Sequence, residues 1–296
     1  KESFSFKGKA ITLRGSGRDT FLKGTKFRPA ITFNSDEGHN SIVEKITFTK
    51  GVRAGAIIID QAAPTIRKCW FYKNRSIGSG SAIYVFGTDT SNESAIITNN
   101  VFYKNKTRSI KPGNIAHTIY VQDSSPTINN NTFIANDRSG VYVKGLSAPL
   151  VTSNIFSYLG QVKAPERKKL SSTGEKEKRG RAVYIENLQS GSNVEISYNI
   201  SFGNKIGDVY IQGTDFSFSE LQEAPVSFVT TNGNLNVDPL ISGISLKTKK
   251  PNRIKKLASV SLDSSSPAID AGNPDAQFRD GNTSRNDIGA TGGDTP

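Results

Sequence analysis

The sequence predicts an all-β fold in which short parallel strands stack into one continuous coil, a solenoid. The first observation is a four-residue segment that occurs seven times, with its third residue at positions 32, 58, 84, 120, 142, 184 and 210. The second is that each copy continues into a turn and another apolar pattern, and the third is that no helical period appears. Repeats about 20 to 50 residues apart are typical of stacked units that cannot bury an apolar face alone.

The second half of each unit contains an asparagine, one intervening residue and usually a phenylalanine. In a parallel coil, equivalent residues of successive turns lie about 4.8 Å apart, so like side chains form columns. We expect an interior stack of Phe48, Phe71, Phe102, Phe133 and Phe156. We also expect a ladder of Asn100, Asn131, Asn154 and Asn199, with Cys69 as the exception. Asparagine tolerates a left-handed backbone at a bend, and its amide bonds to amides above and below.

The N-terminal residues and the bulk composition bound the class of protein. Residues 9–17 predict a strand that ends in a turn, because β-branched residues alternate up to Gly15 and Gly17. No apolar run approaches the roughly 18 residues that a membrane span needs. The single cysteine excludes an internal disulfide. A chain that begins at Lys1 rather than at methionine is expected to be a processed or trimmed form.

With its repeated Ile-Tyr-Val strand and Asn-x-Phe corner, the sequence resembles the right-handed parallel β-helix of the pectate-lyase-like superfamily over residues 30 to about 240. Segments 238–240, 266–272 and 285–290 look like the closing segment of many secreted β-helix proteins. The resemblance implies a right-handed coil of about seven turns, with Ile-Tyr-Val as the first strand of each. We expect a β-helix over residues 1–240, a closing segment over 241–296 packed on the same helix, and a secreted or cell-surface location.

The net charge of +12 is concentrated in two segments. Residues 160–181 hold eight basic and three acidic side chains, and residues 247–256 hold six basic side chains and no acid. A localised positive surface favours a polyanionic partner such as an acidic polysaccharide, a lipid headgroup surface or nucleic acid. Solvated loops without a partner explain the same runs equally well. Nucleic acid is the least favoured partner, because no recognised nucleic-acid-binding module is present.

Two units are longer than the others, and both insertions fall between the Phe corner and the next first strand. The insertions, residues 104–116 and 160–181, therefore emerge from the same corner and flank the same outer face. We expect them to form the walls of a groove. In the resembled lyases the substrate lies on the first-strand face beside loops of this corner, so the resemblance implies the same place.

Strand alternation predicts the floor of that groove. Where the flanking apolar residues point inward, the tyrosine between them points outward, which predicts a column of Tyr84, Tyr120, Tyr142, Tyr184 and Tyr210. Two positions further along the same face lie Phe86, Gln122, Lys144 and Glu186. Tyrosine rings and hydroxyls suit sugars, so we interpret this face as substrate-binding. An aromatic ladder that only stiffens the sheet is the alternative.

Hydrolysis of a glycosidic bond is disfavoured on this face. It usually needs two carboxyl groups about 5 to 9.5 Å apart. The nearest candidates, Glu186 and Asp208, lie at opposite ends of neighbouring strands, about 13 Å apart along the strand direction alone. The sequence therefore offers no pair of carboxylates at the required distance.

Elimination from a uronic acid needs a base, a cation beside the carboxylate and an acid for the leaving oxygen. Lys144 and Tyr142 lie two residues apart on one outward face, and His117 and Arg181 occupy equivalent positions two turns apart. We assign Lys144 or His117 as base, Arg181 as carboxylate clamp and Tyr142 as acid. A histidine beside a strand without a catalytic role is the alternative.

The sequence thus favours an exported protein whose basic groove holds an acidic polysaccharide, with cleavage by β-elimination as an open extension. The competing hypothesis is a non-catalytic surface or adhesion protein that uses the β-helix as a rigid binding scaffold. No metal site is assigned, because the aspartates between residues 270 and 287 do not match the spacing of a calcium loop. The cofactor is left open, calcium included, as is the oligomeric state.

Overall fold

The computed structural model describes residues 3–25, 28–51, 55–78, 80–87, 94–107, 117–160, 180–223, 226–243 and 260–292. Three parallel sheets run along the molecule, and each turn of the coil, here called a rung, supplies strands to them in the same order. The chain passes from the first sheet to the second and the third, then returns to the first sheet one rung further on. The fold is a right-handed parallel β-helix, which confirms the predicted fold class.

The repeated strands of the sequence form the first sheet, and an additional rung precedes them. The parallel strands of the first sheet are Phe4–Ser5, Ile31–Phe33, Ile57–Asp60, Ile83–Phe86, Ile119–Gln122, Val141–Gly145, Val183–Leu188 and Val209–Ile211. Those of the second sheet are Thr12–Arg14, Ile42–Glu44, Thr65–Arg67, Ile96–Thr98, Thr127–Asn129, Leu150–Thr152, Val194–Ser197 and Val229–Asn232. Those of the third sheet are Phe21–Lys23, Thr47–Thr49, Trp70–Tyr72, Val101–Tyr103, Thr132–Ile134, Ile155–Ser157 and Ile200–Phe202.

Short elements complete the coil and close its C-terminal end. They are the parallel pair Arg75–Ser76 and Lys106–Thr107, the antiparallel strand Thr214–Phe216 beside Val209–Ile211, the antiparallel pair Ile241–Ser242 and Ser261–Leu262, the α-helix Phe218–Glu223 and the 3-10 helix Ala276–Phe278. Phe218 and Leu221 of the α-helix are buried in the main core, so this helix covers the open end of the coil. Within the described ranges, no helix is both long enough and apolar enough to cross a membrane.

The interior of the coil is apolar and uniform from rung to rung. The Ile and Val residues that flank each first-sheet tyrosine are buried, as alternation predicts. The predicted phenylalanine stack is present, with ring centroids 5.1, 4.7, 4.6 and 4.8 Å apart from Phe48 through to Phe156. Stacked rings at this spacing add attraction beyond the area that they bury.

Two asparagine ladders hold the rungs together at the corners on either side of the third sheet. In the predicted ladder, each side-chain Oδ1 accepts hydrogen bonds from the backbone N–H and the side-chain amide of the rung before, as between Asn100 and Asn131 at 3.0 Å. Cys69 fits the column as predicted, because its backbone N–H donates to Asn100. The second ladder, Asn74, Asn105 and Asn136, repeats the geometry at the other corner and was not predicted.

The described part of the C-terminal tail contacts the third sheet and its corner with the second. The backbone N–H of Ala290 donates to Thr132 Oγ1 at 2.9 Å, and that of Asn273 donates to Ser153 Oγ at 2.9 Å. The Asn130 amide donates to Asn286 Oδ1 at 2.7 Å. These contacts fix the tail against the outside of the coil. The division of the chain into 1–240 and 241–296 stays a prediction.

Candidate functional site

The outer face of the first sheet carries the five tyrosines in strict register. Tyr84 pairs with Tyr120, Tyr120 with Tyr142, Tyr142 with Tyr184 and Tyr184 with Tyr210 on neighbouring strands. The ring centroids of successive tyrosines are 5.2, 4.5, 5.6 and 4.3 Å apart. The rings therefore form one continuous aromatic column along the coil.

The exposure of the column divides it into two parts. Tyr84, Tyr120 and Tyr210 are partly exposed, whereas Tyr142 is 7% and Tyr184 is 1% exposed. We call Tyr84, Phe86, Tyr120, Gln122 and Lys144 the open face, because each of these side chains is partly exposed. We call His117, Tyr142, Arg181 and Tyr184 the closed face, because each is buried. A ligand on the first sheet has direct access to the open face and, outside it, to the partly exposed Glu186 and Tyr210, but not to the closed face.

Side chains of the open face are held in place by their neighbours. The Phe86 ring stacks on Tyr84 at 4.8 Å, and the Tyr84 hydroxyl donates to Gln122 Oε1 at 3.2 Å. The Gln122 amide donates in turn to Asp123 Oδ2 at 3.1 Å. Lys144 Nζ lies 5.8 Å from the centroid of the Tyr120 ring. The face thus combines aromatic rings, an amide and one ammonium group.

The closed face is built around two side chains that precede their strands. His117 is 1% exposed, and its ring lies 4.7 Å from that of Tyr142 and 5.3 Å from that of Tyr184. Arg181 is 2% exposed, and its Cζ lies 5.6 Å from the Tyr184 ring and 5.1 Å from the Tyr210 ring. His117 therefore covers Tyr142 and Tyr184, and Arg181 covers Tyr184 and Tyr210.

Arg181 also has a charged partner. Its guanidinium forms a bidentate ion pair with Asp215, in which Nε contacts Oδ1 and Nη2 donates to Oδ2 at 2.7 Å. Arg181 and His117 are both buried, so binding of a substrate carboxylate by Arg181 and proton abstraction by His117 each require the side chain to be uncovered. The roles of clamp and base assigned to these residues stay predictions.

A β-bulge changes the register beside Lys144. Val143 pairs with Ile185 but Gly145 pairs with Leu188, so two residues of the later strand lie opposite one of the earlier strand. Asn187 takes the left-handed conformation there, with φ of 55°. The Tyr142 hydroxyl donates to Glu186 Oε2 over a long 3.4 Å. Bulges re-aim side chains, and this one sets Glu186 beside Tyr142.

The pKa values of Tyr84, Tyr120, Tyr142 and Tyr184 are raised, so these four tyrosines of the column are neutral at physiological pH. Burial raises the pKa of Tyr120 to about 12, with the neighbouring Tyr84 as a further cause. Burial also raises the pKa of Tyr142, followed by the charges of Tyr120 and Glu186. For Tyr184 the causes are burial and then its hydrogen bond with Tyr210. The hydroxyls therefore act as hydrogen-bond donors, not as phenolate bases.

Asp208 and Asp215 have structural partners. Asp208 is 7% exposed and accepts hydrogen bonds from Ser201 Oγ, the Phe218 backbone N–H at 3.0 Å and Asn236 Nδ2 at 2.6 Å. The Asp208 carboxylate fixes the α-helix Phe218–Glu223, and both of its oxygens already accept hydrogen bonds. Asp215 was missed by sequence reasoning, because it lies on an antiparallel strand outside the repeat.

Parts of the predicted site fall outside the described residues. These are most of both insertions, residues 108–116 and 161–179, and the second basic segment, residues 247–256. The walls of the groove and most of its positive charge therefore stay predictions. Among the described residues, no group of three or more His, Cys, Asp or Glu side chains is arranged to hold a metal ion.

Comparisons with known proteins bear on the fold. Residues 4–122 and 95–222 match the family described as the right handed beta helix region. Among solved structures, the crystal structure of alginate lyase from Paenibacillus sp. str. FPU-7 is similar, at 15% identity and a TM-score of 0.30, over 79% of this chain and 91% of that chain. A likeness at this TM-score carries no argument about function. No curated protein matches the sequence.

Proposed function

The chain belongs to the right-handed β-helix family, and on that premise we propose that it binds an acidic polysaccharide along the outer face of its first sheet. The observation that carries this proposal is the continuous tyrosine column, of which Tyr84 and Tyr120 are partly exposed. Aromatic rings with a polar tip bind ligands that present both apolar and hydroxyl groups, as sugars do. A row of rings spaced by the rungs suits a linear polymer better than a compact molecule.

The charge of the molecule supports an acidic ligand. The net charge is +12, and Lys144 supplies a cation on the open face itself. The acids that oppose an anion there are Glu186 and Asp123, which act on Tyr120, and Asp60, which acts on Tyr84. The Asp123 carboxylate accepts from Gln122 Nε2 and from the Leu146 backbone N–H at 2.9 Å. Acidic polysaccharides are components of cell walls and matrices, so the proposal includes a secreted or cell-surface location.

Binding is tested by isothermal titration of the protein with polygalacturonate, other polyuronates and sulfated glycans, each with and without calcium. We expect Tyr120→Ala to weaken binding about tenfold, as truncation of a central aromatic contact does. Tyr198→Ala is the matched control, because Tyr198 is a partly exposed tyrosine at the corner between the second and third sheets. Equal affinity of the two variants would overturn the proposal.

A lyase activity on the same face is the second candidate. It is favoured by the grouping of Tyr120, Tyr142, Lys144 and Glu186, in which the Tyr120 and Tyr142 rings lie 4.5 Å apart. In β-elimination a base removes the proton beside the carboxylate, a carbon–carbon double bond forms, and the leaving oxygen takes a proton. Lys144 is the proposed base. Tyr142 is the proposed acid, and because it is 7% exposed, this role requires the polymer to displace the side chains that cover its hydroxyl.

The unsaturated product absorbs ultraviolet light at wavelengths at which the substrate is transparent. Ultraviolet absorbance during incubation with the same glycans therefore measures turnover. Lys144→Ala is expected to abolish any rise while the affinity for the polymer changes less. A flat trace with the native protein on every glycan would remove the lyase candidate. It would leave a non-catalytic scaffold that binds surface polymers.

A further inference from the structure

A second cluster of charge lies at the corner that follows the third sheet. Lys73 and Lys104 come directly after the paired residues Tyr72 and Tyr103, so they occupy equivalent positions on adjacent rungs. Two residues further on, Arg75 pairs with Lys106 in a short parallel ladder. We call Lys73, Arg75, Lys104 and Lys106 the cation ladder. Sequence reasoning missed it, because these cations are adjacent in the fold and scattered along the chain.

The two lysines after the third sheet are held in a defined geometry. Both take the left-handed conformation, with φ of 52° for Lys73 and 55° for Lys104. Each ammonium group lies over the ring of the preceding tyrosine, Lys73 Nζ at 4.8 Å from Tyr72 and Lys104 Nζ at 4.6 Å from Tyr103. The two rings stack at 5.6 Å. The cations are thus positioned before any ligand binds.

Within the described residues, the ladder carries more positive than negative charge. The acid that acts on it is Asp137, which is 3% exposed and raises the pKa of Lys106. Burial has a larger effect and lowers the pKa of Lys106, as do Arg75, Lys104 and Lys73. Burial likewise lowers the pKa of Lys104, with a contribution from Lys73. Like charges one rung apart repel each other, and a bound anion would relieve that repulsion.

We infer that the cation ladder is a second anion-binding site, which takes successive acidic groups of a polysaccharide chain that lies along the coil. The site goes beyond the first-sheet face in using different residues, although it shares its class of ligand. Its strands directly precede, in the chain, the strands that carry Tyr84 and Tyr120. The ladder therefore ends the rungs that begin with Ile57–Asp60 and Ile83–Phe86, and the strands that carry Tyr84 and Tyr120 begin the rungs that follow.

A polysaccharide fits the ladder better than nucleic acid does. Single-stranded nucleic acids bind basic surfaces that also offer open aromatic rings for base stacking. Tyr72 is 3% and Tyr103 is 9% exposed, and their rings are occupied by each other and by the two ammonium groups. The ladder offers charge without a stacking platform, which suits the carboxylates of a polyuronate.

The test compares two double variants by titration with polygalacturonate at low and at physiological ionic strength. Lys73→Gln/Lys104→Gln removes two of the four cations of the ladder and is expected to weaken binding about tenfold and to make it less sensitive to salt. Lys45→Gln/Lys68→Gln is the matched control. These two lysines are exposed, lie on adjacent rungs at the corner between the second and third sheets, and have left-handed backbone conformations. It is expected to change affinity less than about twofold.

If both double variants lost the same affinity, the effect would be one of net charge and the inference would be overturned. An unchanged affinity of the ladder variant would overturn it as well. A DNA oligonucleotide that bound the native protein as tightly as polygalacturonate, and lost as much affinity in the ladder variant, would overturn the choice of polysaccharide. Circular dichroism and thermal midpoints of the variants verify that they fold. If Tyr120→Ala weakens binding and the ladder variant does not, the inference falls and the proposed function stands. If the ladder variant weakens binding and Tyr120→Ala does not, the proposed function falls and the inference stands.

Discussion

The open and closed faces of the first sheet are built from the same repeat, yet they differ in what they offer a ligand. On the open face, Tyr84 and Tyr120 lie between buried aliphatic residues and remain partly exposed. On the closed face, Tyr142 and Tyr184 occupy the same column and are buried against His117 and Arg181. The tyrosines keep the same register in the two regions, so we ascribe the difference to the side chains that precede the strands.

A repeat therefore fixes the position of a side chain but not its accessibility to a ligand. His117 and Arg181 reach across neighbouring rungs, and two of the five tyrosines of the column, Tyr142 and Tyr184, are buried against them. Open positions are available for recognition, whereas closed positions are expected to contribute to stability. Perturbing one residue of each kind separates the two roles.

The largest effect is expected from Arg181→Ala. The change removes an ion pair with Asp215 and uncovers the Tyr184 and Tyr210 rings, so we expect the free energy of unfolding to fall by about 2 kcal/mol. Chemical denaturation measures it, with the exposed Lys205→Ala as control. A loss below about 0.5 kcal/mol would show that the closed face is not structural.

Chemical modification of the tyrosines gives the next largest contrast. Tetranitromethane is expected to nitrate Tyr84 and Tyr120 about tenfold faster than Tyr184, because Tyr184 is 1% exposed. Mass spectrometry of proteolytic peptides measures the rates. Comparable rates at the three positions would erase the distinction between the faces.

Alkaline pH is expected to destabilise the column. The pKa of Tyr120 is raised from 10.0 to about 12, and the main cause is burial. The folded state therefore holds its proton where the unfolded state has released it, so stability is complete below about pH 10 and falls between about pH 10 and 12. Thermal midpoints across this range measure the loss, and Tyr120→Phe should reduce the slope. An unchanged slope would contradict the assignment.

The smallest effect is expected from Tyr142→Phe. The lost hydrogen bond to Glu186 is long, at 3.4 Å, so the free energy of unfolding should change by less than about 1 kcal/mol. Polymer affinity should change less than about twofold, because Tyr142 is buried. Titration and denaturation measure both. A large loss of affinity would place Tyr142 in direct contact with the ligand.

Much of the fold could be predicted because repetition translates directly into columns. The phenylalanine stack from Phe48 to Phe156 and the ladder from Asn100 onward follow from the period and from strand alternation. The second ladder of Asn74, Asn105 and Asn136 carried a weaker signal, an additional asparagine in some units only. The N-terminal rung lacks the Ile-Tyr-Val motif, so only its strand Thr12–Arg14 was predicted, within residues 9–17, and this strand is confirmed.

The site could be predicted only in part, because its decisive contacts do not repeat. The outward register of the tyrosines followed from alternation, but the burial of Tyr184 depends on the reach of Arg181 and on Asp215. The bulge at Asn187 has no counterpart in the other units. Non-periodic contacts of this kind leave no pattern in a single sequence.

Tyrosine nitration in the presence of a galacturonate oligomer measures whether the open face contacts the polysaccharide. We expect the ligand to slow the modification of Tyr84 and Tyr120 and to leave Tyr198, at the corner between the second and third sheets, unchanged. Unaltered rates at Tyr84 and Tyr120 under saturating oligomer would contradict this contact.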